Sequence, residues 1–135
     1  VLQIASKGDS SYDTMQAFLD SGNMLSAYVE MTTTMNILNT VESELIAYKD
    51  KVILHNKMNE AAFKEGIDLL QSAYQWRRWG VRDMKKYIDE QKLKHAESAQ
   101  NSMNMFNNKL IFGSAKLVEV QMYYGLLEEW KILYF

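Results

Sequence analysis

One alternation governs what this chain can fold into. From Ala27 onward, Ala27, Met31, Thr34, Leu38, Val41, Leu45, Tyr48, Val52 and His55 recur at alternating steps of four and three. An α-helix turns once every 3.6 residues, so this spacing draws one stripe along a helix for four heptads. A strand would need a period of two. A second seam of the same kind runs Phe63, Ile67, Leu70, Tyr74, Arg77, Val81, Met84 and Ile88. Its phase crosses Gly80 without a slip. A loop at Gly80 would have no reason to keep that phase. A mid-helix glycine costs only about 1 kcal/mol against alanine, so the spacing predicts one helix through it.

Composition agrees. The 135 residues contain no proline, the residue that most reliably ends helices and interrupts strands. The expected fold is all-α: an elongated antiparallel helical bundle of three long helices plus a short N-terminal helix, with no sheet. The helices are placed at about 11–21, 24–57, 59–107 and 114–134. Ser10 or Ser11 would cap the first helix and Asn23 the second, with Gly22 ending the first. Asn59 would cap the third, and Gly113 with Ser114 would mark the last turn. After Ile88 the second seam turns polar through Gln91, His95, Ser98 and Ser102, so a break near 95–102 is the alternative to one helix over 59–107. The whole chain reads as a single domain, 1–135, with residues 1–10 loose.

Charge and residue usage narrow the partners. The net charge is −2, which argues against general nucleic-acid binding, since that needs a basic excess. With no cysteine, zinc–thiolate sites, disulfides and thiol catalysis are excluded. The apolar run "VQMYYGLL" at 120–127 is far short of the roughly 20 residues that span a bilayer, which predicts a soluble chain as given. A first residue of Val rather than Met reads as a processed product or a fragment, and the compartment is left open. The charges are also segregated. Residues 1–48 hold six acids and one base, while residues 49–94 hold eleven bases and seven acids. Antiparallel helices of opposite charge would choose each other as neighbours.

The stretch "QWRRWG" at 75–80 concentrates the chemistry. Arg77, Arg78 and Arg82 are the chain's only arginines, and Trp76 and Trp79 sit among them. One reading is an anion or partner patch of Arg77, Arg78, Trp79, Arg82, Lys85 and Lys86, since guanidinium groups fork onto carboxylates and phosphates. The structural reading is an amphipathic helix. In it Trp76 faces inward, Arg78 and Arg82 face solvent, and the stem of Arg77 is partly buried with Glu42 or Glu44 as its partner.

Other chemistry finds no footing. Neither His55 nor His95 has a glutamate three residues before it, as a di-iron helix requires, and the two histidines are too far apart to share a haem. Glu128 and Glu129 are adjacent and point about 100° apart on a helix. No metal, cofactor or catalytic group is therefore expected, and the chain is read as non-enzymatic. The 117–135 region is apolar on two faces, which calls for packing on both. Val118, Met122, Leu126, Trp130 and Leu133 are the expected oligomer contact. The expected function is a structural or interaction subunit of a homo- or hetero-oligomeric helical assembly. The alternatives are a membrane-surface or anionic-ligand binder, and a sensor or apolar-ligand module whose lining draws on the chain's nine methionines.

Overall fold

The computed structural model describes residues 1–123. They form four helices: α1 (Leu2–Asp20), α2 (Met24–Lys51), α3 (Lys57–Glu90) and α4 (Leu93–Tyr123). There is no strand among the described residues. Each helix packs against the next in reversed direction: α1 on α2, α2 on α3, and α3 most extensively on α4. The two predicted seams supply most of the core, apart from His55, which lies exposed beyond the end of α2. Ala27, Met31, Thr34, Leu38, Val41 and Leu45 of α2 are buried, as are Phe63, Ile67, Leu70, Tyr74 and Val81 of α3. No helix of the described residues is long and apolar enough to cross a membrane.

The first turn is built as its residues dictate. Gly22 takes φ +76°, a left-handed conformation that glycine adopts without strain. The Asn23 N–H then donates to the Phe18 carbonyl at 2.9 Å and the Gly22 N–H to that of Leu19 at 3.0 Å, closing the C-terminus of α1. The Asn23 side chain accepts from Ser26 N–H and caps α2, as expected.

Five boundaries differ from expectation. Residues 1–10 are not loose, because α1 begins at Leu2. Gly8 is the reason: it is buried, and a Cβ there would stand 2.9 Å from Leu38 Cδ2. The missing side chain lets α1 lie close on α2, an advantage invisible in a stretch whose own apolar pattern is weak. Secondly, α2 ends at Lys51 rather than 57, and a short linker follows in which Val52 and Leu54 are buried. Asn56, not Asn59, caps α3 by accepting from Asn59 N–H. Glu60 accepts from Leu54 N–H, which with the neighbouring Lys57 and Lys64 holds its carboxyl below the usual range.

The third long element is two helices. The chain turns at Gln91, a non-glycine residue at φ 56°, with its N–H on Tyr87 O and its side-chain amide on Ile88 O. The break thus falls inside the continuous helix predicted over 59–107 and ahead of the alternative at 95–102. Finally, no turn occurs at 107–116. Gly113 lies inside α4, which runs on to Tyr123; the rest of the helix expected over 114–134 lies outside the described residues.

At Gly113 the backbones of α3 and α4 come into direct contact. On α3, Gly66, Ala73 and Gly80 recur every seven residues. On α4, Ala99, Phe106 and Gly113 do the same. Antiparallel pairing sets Gly66 against Gly113 and Gly80 against Ala99 and Ser102. Between them Tyr74 meets Phe106 edge-on at 5.6 Å between ring centres. Small residues at heptad spacing bring two helix backbones together, and helix separation is set by the side chains at the contact.

Two measurements test this packing. Adding a methyl group at Gly113 would place it 3.1 Å from Gly66 O and Leu69 Cβ, atoms that cannot swing aside. Gly113→Ala should therefore destabilise by about 1–3 kcal/mol, the usual cost of overpacking. At Gly80 the nearest atoms stand at 3.4 Å, ordinary contact, so Gly80→Ala should stabilise by about 0.4–1 kcal/mol through lost unfolded-state entropy. Urea titrations of the two variants should move in opposite directions. A second test concerns Tyr48, whose hydroxyl is buried without a hydrogen-bond partner among the described residues. Tyr48→Phe should stabilise by about 1 kcal/mol, because an unsatisfied buried hydroxyl is removed. Burial also raises the Tyr48 pKa from 10 to about 12. The neutral ring's contribution is fully present below pH 10 and is lost as pH rises through about 12. The phenylalanine variant should lack that part of the alkaline decline in melting temperature.

Candidate functional site

Arg77 is the centre of the structure's polar chemistry, and it points inward. Its place in the α3 seam leaves the side chain only 11% exposed. The guanidinium carbon lies 3.9 Å from the centre of the Tyr12 ring of α1 and 4.0 Å from that of Phe106 of α4. Stacking between two rings suits a flat, weakly hydrated cation. Nη1 donates to Asp9 Oδ1 at 2.7 Å, and the Tyr74 hydroxyl donates to the same oxygen at 3.1 Å. Burial, then the Asp9 charge and hydrogen bond, raise the Tyr74 pKa. The predicted partners, Glu42 and Glu44, are thus replaced by Asp9. Helical phase places Arg77 on the side of α3 facing α1, whereas Glu42 faces its neighbour Arg78.

Arg78 was expected in solvent, and here the structure corrects the reading. Its side chain is 28% exposed, and Nε donates to Glu42 Oε2 at 2.6 Å while Nη2 donates to Oε1 at 3.3 Å. Glu42 is itself only 6% exposed and also accepts from Gln71. Arg82 is half exposed and reaches Asp83 at 3.5 Å; the nearly buried Asp83 accepts a 2.7 Å bond from Ser98 of α4. Lys85 donates to Thr32 of α2 and lies over the Tyr28 ring, while Lys86 is exposed. Trp76 packs against the core from a half-buried position, edge-on to Trp79 at 4.8 Å.

Of the sequence-predicted patch, the fold gathers Arg78, Trp79 and Arg82 around one shallow hollow with Asn36 and Asn39. Arg77, Lys85 and Lys86 do not line it. Both of its arginines already face a buried carboxylate of the same chain, so the hollow carries little net positive charge.

A second surface is apolar. On α4, Gly113 faces α3, and the opposite side carries Ile111, Ala115, Val118 and Met122 at steps of four, three and four. Ile111 is 63% exposed, Val118 50% and Met122 77%, with Phe112 beside them at 63%. Val118 and Met122 belong to the predicted oligomer contact. Its other members, Leu126, Trp130 and Leu133, lie outside the described residues. Ile111 and Phe112 were missed because they were read as part of a turn.

Two grooves separate α1 from α4, one on either side of the Arg77 stack. One is lined by four methionines, Met24, Met31, Met84 and Met103, and encloses about 380 Å³. The other, of about 330 Å³, lies along Val1, Ala5, Asp9, Leu110 and Leu117. No group of three or more His, Cys, Asp or Glu side chains placed to hold a metal occurs among the described residues. No protein-family model matches the chain, and no curated protein or solved structure shows significant similarity to it.

The ion pairs rank the arginine variants. Removing one partner of a buried pair strands a charge at a cost of about 3–5 kcal/mol. Arg78→Ala should approach the lower end of that range, since the guanidinium is partly hydrated. Arg82→Ala should cost less than about 1 kcal/mol, as for exposed pairs. A double-mutant cycle of Arg78→Met with Glu42→Met should recover most of the loss, measured from denaturant midpoints. Equal, small effects of Arg78→Ala and Arg82→Ala would contradict the geometry.

Proposed function

We propose that this chain is an interaction subunit that associates with a second copy of itself through the outer stripe of α4. The observation that carries the reading is the run Ile111, Ala115, Val118 and Met122, largely exposed on the side of α4 facing away from α3. Contiguous apolar surface of this kind is costly to leave in water. An antiparallel two-fold pairing would set Ile111 against Met122 and Ala115 against Val118 of the second copy. It would also bring Lys116 within reach of Glu119 of the second copy, and those two charges border the stripe. A net charge of −2 imposes little repulsion between copies.

The stripe covers twelve residues, about 18 Å of helix. A stable interface buries about 1,200–2,000 Å², so further surface is needed. The remaining sequence, "YGLLEEWKILYF", supplies apolar residues at Leu126, Trp130 and Leu133. The anionic-ligand reading has weaker support, because Arg77, Arg78 and Arg82 are engaged with Asp9, Glu42 and Asp83.

Light scattering across a concentration series tests the proposal. The wild-type chain should reach twice its 15.7 kDa mass. Val118→Glu should return it to one chain mass with its helical spectrum unchanged, because the position is on the surface. A wild-type chain that stays at one chain mass into the high micromolar range overturns the reading.

A further inference from the structure

We infer that the methionine-lined groove between α1 and α4 is a binding site for a small, uncharged, apolar molecule. The groove runs from the Arg77 stack toward the end of the bundle that carries the turns at Gly22 and Gln91. Met31 of α2 forms its fully buried floor, and Met84 and Ile88 of α3 form one wall. From α4 come Met103 and two small residues, Ala96 and Ala99, and across from them α1 supplies Tyr12, Gln16 and Leu19. The lining also includes Gln16 and Gln100, whose side-chain amides bond Asp20 and Asn104 in turn.

Three features identify the occupant. The volume of about 380 Å³ falls in the range of small-molecule sites, about 300–1,000 Å³. The lining holds no Asp, Glu, Lys, Arg or His, although charged residues make up 24% of the chain. A charged ligand would lose its hydration there without gaining a counter-charge. The walls are also adaptable, since methionine is unbranched and its sulfur is polarisable. A neutral ring system or a short uncharged alkyl compound fits these terms.

The groove has a structural cause. Tyr12, the Arg77 guanidinium and Phe106 form a three-layer stack between α1 and α4, with ring-to-cation spacings of 3.9 and 4.0 Å. This strut holds the two helices apart beside it. Tyr12 also donates to Met103 Sδ at 3.7 Å, closing the inner end of the groove. The site is separate from the outer stripe of α4, which begins at Ile111.

A matched pair of fluorescent probes tests the inference. N-phenyl-1-naphthylamine is neutral, and its 8-sulfonate has the same ring frame with one negative charge. The neutral probe should bind saturably, one per chain, and at least ten-fold more tightly than the sulfonate. Ala96→Trp, which fills the groove from a half-buried position, should reduce neutral-probe affinity at least ten-fold while circular dichroism stays helical. Val118→Glu should leave probe binding unchanged, whether or not it alters the oligomeric state. Equal binding of the two probes, unsaturable binding, or full retention of binding in a folded Ala96→Trp variant would each overturn the inference. If Ala96→Trp fails to fold, Met84→Gln takes its place. That variant keeps side-chain length while adding an amide, and undiminished affinity would be equally damaging.

Discussion

The bundle depends on how closely α3 and α4 approach. Gly66, Ala73 and Gly80 recur opposite Gly113, Phe106 and Ala99, and at Gly66–Gly113 the two backbones meet directly, with Leu69, Leu70 and Leu117 packed alongside. These two long helices make the most extensive contact of the bundle; α2 lays its seam on α3, and α1 packs on α2. Heptad spacing on both helices gives the register, because this antiparallel alignment sets Gly66 opposite Gly113 and Gly80 opposite Ala99 and Ser102. The same glycines lower intrinsic helix propensity by about 1 kcal/mol each. The fold accepts that local cost because the contact surface gained extends over several turns.

The charge asymmetry of the sequence is used inside the molecule. Asp9 and Glu42 from the acidic first half meet Arg77 and Arg78 from the basic middle. Buried ion pairs add little net stability against apolar alternatives, so their effect is to fix which face of α3 turns to which neighbour. Asp83, held by Ser98, does the same between α3 and α4. Neighbouring arginines thereby point in different directions. Arg77 serves the α1 side and Arg78 the α2 side, and a patch that looks continuous in sequence is divided in space.

Two regions are left with apolar surface unspent. The outer stripe of α4 is an exposed apolar face of a single helix, which suits another helix. The groove beside Arg77 is concave and uncharged, which suits a small molecule. Both arise from α4, whose inner face is committed to α3 and whose N-terminal half stands off from α1 at the Arg77 strut. An interaction subunit that also holds an apolar ligand would combine the two surfaces on one helix.

The seams of α2 from Ala27 to Leu45 and of α3 from Phe63 to Val81, through Gly80, were legible in the sequence, because burial of one helix face leaves a period that no loop would keep. The Gly22–Asn23 turn was legible as well, since its conformation and its cap each favour a particular side chain. The helical start at Leu2, the turn at Gln91 and the continuity through Gly113 were decided by tertiary structure. In each case local preference pointed the other way: a weak apolar pattern, a non-glycine turn, and a glycine inside a helix. For the first and the last, what outweighed it was contact between residues far apart in sequence, Gly8 with Leu38 and Gly113 with Gly66. The candidate site divides along the same line. The sequence by itself determined that three arginines share one helix turn and a half, and that Val118 and Met122 share a stripe. Only the tertiary structure decided that Arg77 stacks between Tyr12 and Phe106, because the rings and the acid that hold it come from helices whose placement no local pattern encodes.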